Sequence, residues 1–184
     1  MKHLICIAVN VACASATLAD TLTFAFNGTI EYREGSLPAP FTDVAIGDPF
    51  SLSYTFESDA PDLMPDNTNV GCYATTYYQL TVGQASQAGV SEIDSSIFVY
   101  VDIQRYGAIF HEDGVTIAGI LDFQPETFAT DALMTTMNLN ALTDALFDFG
   151  DTNGYARGRI VEVFLPEPAS AVIFIGALLA LHRR

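Results

Sequence analysis

Apolar and polar residues take turns along much of this chain, and a period of two admits one kind of local structure, a strand with one face buried and the other in water. The first such run sets Leu22, Phe24, Phe26, Ile30 and Tyr32 on one face and Thr21, Thr23, Asn27, Thr29, Glu31 and Arg33 on the other. A second turns Phe50, Leu52, Tyr54 and Phe56 inward and Ser51, Ser53, Thr55 and Glu57 outward. Further strands are expected over 77–82, 96–103, 115–123 and 156–164. Between the runs lie turn-forming stretches, "EGSLPAP", "DAPDLMPDNTNVG" and "GDTNG". Short strands punctuated in this way predict an all-β fold, a single antiparallel β-sandwich of jelly-roll type. One stretch departs from the pattern. In "NALTDALFDFG" Leu142, Ala145, Leu146 and Phe149 share a helical face while Phe147 and Phe149 alternate, so a short helix or turn is expected there.

Both ends of the chain follow a different logic. In "MKHLICIAVNVACASATLAD", Lys2 and His3 form a basic start, Leu4 to Cys13 an apolar run, and the small residues up to Ala16 or Ala19 a signal-peptidase site. Residues 1–19 are therefore expected to be a signal peptide. Lipid attachment would use Cys13, but Asn10 stands where that signal needs an apolar residue. At the other end Pro166, Glu167 and Pro168 precede an apolar run from Ala169 to Leu181, closed by His182, Arg183 and Arg184. The prolines stop the preceding element and leave an extended segment. As a helix, the 13 apolar residues cover about 20 Å of a hydrocarbon core about 30 Å thick. That length suits a short C-terminal hydrophobic helix inserted transiently, with the arginines snorkelling at its basic end, better than a permanent span.

This order of tripeptide, apolar run and basic end over 166–184 resembles the PEP-CTERM sorting signal of exported bacterial proteins. The segment "GDPFSLSYTFESDAPD", Gly47 to Asp62, together with "GCYATTYYQLTVG", is similar to stretches that recur in the ectodomains of that family. The resemblance implies export, recognition of the tripeptide and removal of the tail by the membrane-embedded, cysteine transpeptidase-like enzyme exosortase, and delivery to the cell envelope or an extracellular polysaccharide matrix. It brings no catalytic residues with it.

Between the two signals, residues 20–165 make one domain. Losing Glu167 leaves 21 of the 22 acidic residues, and losing Lys2, Arg183 and Arg184 leaves four of the seven basic ones, a net charge of −17 with no lysine. Such a surface repels phosphate backbones, so nucleic acid is excluded as a partner, and it suits an extracellular setting or divalent cations. Cys72 is the one cysteine outside the N-terminal segment, so no disulfide closes within the domain and a packed core must hold it.

Four kinds of chemistry are open to these residues. Asp59, Asp62, Asp66, Asn67 and Asn69 crowd one loop with hard oxygen ligands that suit Ca²⁺, and Asp148, Asp151 and Asn153 form a second acidic turn. The same residue types are also ordinary turn formers, and the spacing is not that of an EF-hand. A nucleophile–base pair would need Cys72 and His111 with Glu112 or Asp113, although "FHEDGV" reads more simply as a turn and no G-x-S-x-G, HExxH or phosphate-loop pattern occurs. A carboxylate pair could serve a secreted hydrolase of matrix polysaccharide. Tyr73, Tyr77 and Tyr78 could stack on sugar rings or sit in the fold. Asn27-Gly28-Thr29 matches a glycosylation sequon, read as a coincidence in a strand because the resemblance implies a bacterial source. The expectation is a non-enzymatic structural or adhesive component, with acidic loops bridging through cations to an envelope or matrix glycan.

Overall fold

A computed structural model describes residues 20–90 and 95–164. Ten strands run in chain order: β1 (Thr21–Gly35), β2 (Pro49–Glu57), β3 (Val70–Ala74), β4 (Tyr77–Val82), β5 (Ala85–Val90), β6 (Ser96–Tyr100), β7 (Arg105–Glu112), β8 (Val115–Phe123), β9 (Leu142–Gly150) and β10 (Gly154–Phe164). All neighbouring pairs are antiparallel. The chain is thus all-β, but its strands form one continuous sheet, ordered β3-β6-β7-β8-β9-β10-β1-β2-β4-β5, where two sheets of jelly-roll connectivity were expected.

The reason lies in residues 70–82. Their first half, β3, pairs with β6 near one end of the sheet, and their second half, β4, pairs with β2 near the other. Only Thr75 and Thr76 separate the halves, and the Thr76 amide donates to the Thr55 carbonyl at 2.8 Å. One short segment thereby holds both ends of the sheet, which must curl around the core rather than split into layers.

Inside the curl, alternate residues meet, those of Leu22 to Ile30 and Phe50 to Phe56 as predicted. Phe24, Phe26, Leu52, Tyr54, Phe56, Phe110 and Phe147 are fully buried. Aromatic pairs cross the core, with Phe50 against Phe147 at 4.1 Å and Tyr78 against Phe110 at 4.9 Å between ring centres. Each pair of this kind adds about 0.5–1.5 kcal/mol beyond area burial. Phe41, from the loop after β1, closes one end against Phe149 at 5.0 Å. That loop is held by Arg33, whose guanidinium donates to the carbonyls of Thr42 and Val44.

Three sequence expectations change. The stretch expected to be a short helix or turn is β9, preceded by a single 3₁₀ turn at Leu139–Ala141, because pairing on both flanks, with β8 and β10, outweighs its ambiguous periodicity. Tyr32 does not face inward with Phe24 and Phe26. A register shift between Ile30 and Tyr32 turns its side chain out, 43% exposed, onto Tyr155. His111 and Glu112 belong to β7, and the turn after them is the two-residue Asp113-Gly114, with φ of 50° and 80°, the pairing that a tight hairpin favours. The signal-peptide residues Ala16 and Ala19 and the tail residues Pro166, Glu167, Pro168, Arg183 and Arg184 lie outside the described residues.

Candidate functional site

The register brings together a surface that no single strand announces. On the outer face of β1, β2, β4 and β5 three rows lie side by side: Thr23–Thr55–Tyr77–Val90, Ala25–Ser53–Gln79–Ala88 and Asn27–Ser51–Thr81–Ser86. None of these 12 residues is charged and none is buried. With strands about 4.8 Å apart and same-face residues about 6.7 Å apart along a strand, the patch measures roughly 14 Å by 14 Å. The first charges stand at its margins, Glu57 opposite Thr21 and Glu162 opposite Asn27.

Most of its polar groups are open to a ligand. Thr55 and Thr76 share a hydroxyl contact at 2.7 Å, Thr81 donates to the Ser86 hydroxyl at 3.4 Å, and Asn27 donates to Glu162 at 3.3 Å. Among the described residues, the hydroxyls of Thr23, Ser51 and Ser53 and the amide of Gln79 have no side-chain hydrogen bond, so both donors and acceptors point outward. Tyr77 is 41% exposed, a phenol ring at the edge of the first row. An open cleft of about 680 Å³ between the 36–48 loop and the β4–β5 turn adjoins the third row through Ser86.

Compared with protein-family models, curated proteins and solved structures, the chain matches none. The resemblance to PEP-CTERM proteins accordingly rests on the tail and segment residues themselves.

The three tyrosines expected to stack on sugars part company. Tyr77 keeps that capacity. Tyr73 is buried beneath the 124–138 segment, its hydroxyl donating to the Asp131 carbonyl at 2.8 Å, and burial raises its pKa. Tyr78 is core, its hydroxyl donating to Glu112.

The acidic loops are used locally. Asp62 accepts the amides of Met64 and Cys72, both at 2.9 Å, and Asn67 accepts the amide of Asn69 at 3.1 Å, so these residues shape the loop that covers β3. Asp59 and Asp66 lie exposed in the same loop. In the second turn Asp151 accepts the amides of Asn153 and Gly154, which hold its carboxyl below the usual range, while Asp148 pairs with Arg157 through two contacts at 2.7 and 3.0 Å. Among the described residues no three of His, Cys, Asp and Glu converge as a metal group.

Cys72 and His111 are not neighbours. Cys72 sits in a row with Phe98 and Gly107, and His111 lies four residues farther along β7, which places them roughly 16 Å apart along the sheet. Burial raises the Cys72 thiol, so the fold does not activate it, and the His111 ring pairs with Thr116 instead.

Sequence reading had placed Thr23, Asn27, Ser51, Ser53 and Thr55 outward but had not assembled them. Ala25, Gln79, Thr81, Ser86, Ala88 and Val90 were missed. The available signal was that the outward positions from Thr23 to Asn27, Ser51 to Thr55, Tyr77 to Thr81 and Ser86 to Val90 are all Ser, Thr, Asn, Gln, Ala, Val or Tyr, with charges only beyond those limits.

Proposed function

We propose that this is an exported, non-enzymatic protein of the cell envelope or extracellular polysaccharide matrix, processed at its N-terminus by signal peptidase and at its tail by exosortase. The observation that carries the reading is the order at the C-terminus, Pro166-Glu167-Pro168, then Ala169 to Leu181, then Arg183-Arg184, matched by a signal-peptide pattern at the N-terminus. A domain of net charge −17 with no lysine agrees with life outside the cell. The outer face of β1, β2, β4 and β5 suits contact with a glycan, because it offers hydroxyls and amides and one exposed aromatic ring. Cations bridging the acidic loops to the same matrix remain part of the proposal, with Asp59 and Asp66 as the carboxylates open to them.

A secreted hydrolase, the alternative, would draw on Asp43 and Asp48 in the open cleft. Asp48 already accepts the Ala45 amide at 2.8 Å, which commits it to the loop. The adhesive reading is favoured because the open hydrogen-bonding groups lie on the outer face of the curled sheet, where they diverge, whereas catalysis would need them to converge.

The test is intact-mass spectrometry of the protein recovered from its host's matrix, beside a variant with Pro166-Glu167-Pro168 changed to three alanines. Loss of both termini from the native protein, and retention of the tail in the membrane by the variant, is the expected result. A tail kept by both proteins refutes the sorting reading.

A further inference from the structure

We infer that the 12-residue outer face of β1, β2, β4 and β5 docks a neutral polysaccharide chain and does so without a divalent cation. The inference deepens the matrix reading by naming the surface and the class of glycan.

Charge decides the class. The domain carries 21 acidic residues and four arginines between its terminal signals, so a uronate or phosphate-bearing polymer approaching any surface is repelled unless cations intervene. The 12-residue face has no charge of either sign. It therefore supplies no Arg or Lys to hold an anion, and no carboxylate to hold a cation that could bridge to one. Glu57 and Glu162, at its margins, stand roughly 14 Å from its centre by the strand spacings, beyond the Debye length of about 8 Å, and are screened there. A neutral polymer meets only dipoles.

The available groups fit what such a polymer presents. Sugar hydroxyls both donate and accept, and so do the hydroxyls of Thr23, Ser51 and Ser53 and the amide of Gln79. The C–H face of a sugar ring packs on an aromatic face, which Tyr77 provides. The ladder fixes the spacing of these groups before the ligand arrives, and the β-branched threonines hold few rotamers, so little side-chain freedom is lost on binding. A second copy of this chain is the other conceivable occupant. Its net charge of the same sign opposes face-to-face approach, whereas a neutral chain meets no such barrier.

The experiment uses the full chain in mild detergent with EDTA, and affinity electrophoresis through gels containing a neutral glucan, a neutral mannan, a neutral galactan or the anionic polymer alginate. At least one neutral polymer should retard the wild-type protein. Tyr77→Ala should weaken that retardation about tenfold, as expected for loss of the one aromatic contact on the face. Ser53→Asp combined with Gln79→Glu should abolish it, while Thr116→Asp, on the outer face of β8, leaves it unchanged. Both face positions are exposed or half-buried and bear no side-chain hydrogen bond, but they are direct cross-strand partners on which two carboxylates repel, so the double variant is read only if its melting temperature stays within a few degrees of wild type. If it does not, Gln79→Glu alone is read. Failure to bind any neutral polymer, whether or not alginate binds once Ca²⁺ is restored, or equal retardation of all variants overturns the inference. So does a dimer, seen by sedimentation, that the face variants dissociate without altering retardation. Intact mass of the same variants from the host matrix reads tail processing separately, so failure of sorting cannot be taken for failure of docking.

Discussion

Tyr54 on β2 and Tyr106 on β7 meet hydroxyl to hydroxyl at 2.7 Å, and both side chains are fully buried. Each hydroxyl is the other's partner, and either oxygen can be the donor. Changing one tyrosine to Phe keeps its ring, including the stacking of both residues on Phe24 at 5.8 and 6.0 Å. What it removes is the partner, leaving one hydroxyl dehydrated and unpaired, at a cost of about 1–3 kcal/mol. Changing both removes the pair and strands nothing, so the double variant should lie within about 1 kcal/mol of wild type. Tyr54→Phe, Tyr106→Phe and the double variant should therefore give a non-additive cycle in urea unfolding, with the double more stable than either single. For a domain of this size each kcal/mol moves the melting temperature by about 2–4 °C, which a thermal scan resolves. Singles as stable as wild type would show that the lone hydroxyl finds another partner. A double variant that loses the sum of the singles would show that the hydroxyls do not act as a pair.

The same pair sets an alkaline limit. Burial raises both tyrosines above their unfolded value of about 10, so below that pH neither state releases a proton, and above it the unfolded chain does while the folded one does not. Stability should fall above about pH 10 by up to about 1.4 kcal/mol per pH unit for each tyrosine, and an equally steep fall in the double Phe variant refutes the assignment. Gly119 lies under the opposite wall, where an added Cβ would stand 2.6 Å from Phe26 Cε2 and 3.4 Å from Leu52 Cδ2. Since both neighbours are fully buried, Gly119→Ala should destabilise by about 1–3 kcal/mol in urea unfolding, and an unchanged midpoint would mean that β1 and β2 yield more easily than their packing suggests.

Where one face of a strand is buried and the other wet, the sequence shows it, as at Phe50 to Glu57 or Tyr77 to Val82. Where that contrast is lost, it does not. In β5 neither face is deeply buried, so small residues from Ala85 to Val90 carry no hydropathy signal. In β3 the reverse holds. Gly71, Cys72 and Tyr73 are all buried, because the 62–63 bridge and the 124–138 segment cover the strand, and an added Cβ on Gly71 would stand 2.0 Å from the Asp131 carbonyl. The outward turn of Tyr32 was illegible for another reason, since a bulge shifts the face without changing the residue pattern. Pairing of β2 with β4 is non-local, so the uncharged residues could be read one strand at a time but not as a patch.

Strand propensity alone does not explain why that patch is uncharged. The outward positions of β7 to β10 belong to the same sheet, yet they carry Arg105 against Asp122, Arg157 against Asp148, and Arg159 near both Glu31 and Asp144. Charge is thus compatible with outward strand positions in this fold, and one half uses it while the other does not. The contrast sharpens at β5, which among the described residues pairs with β4 alone. Exposed edge strands usually carry charged residues that discourage pairing with other chains. Here Ser86, Gln87, Ala88, Gly89 and Val90 carry none, so the edge lacks that protection at the border of the face that is itself uncharged. A neutral glycan lying across the rows to Ser86 and Ala88 would cover this border as well as the hydroxyls behind it. Loss of the ligand should then leave this edge open, and because the net charge of −17 opposes association, aggregation in glycan-free solution should set in as salt screens that repulsion and be relieved by the polymer that binds.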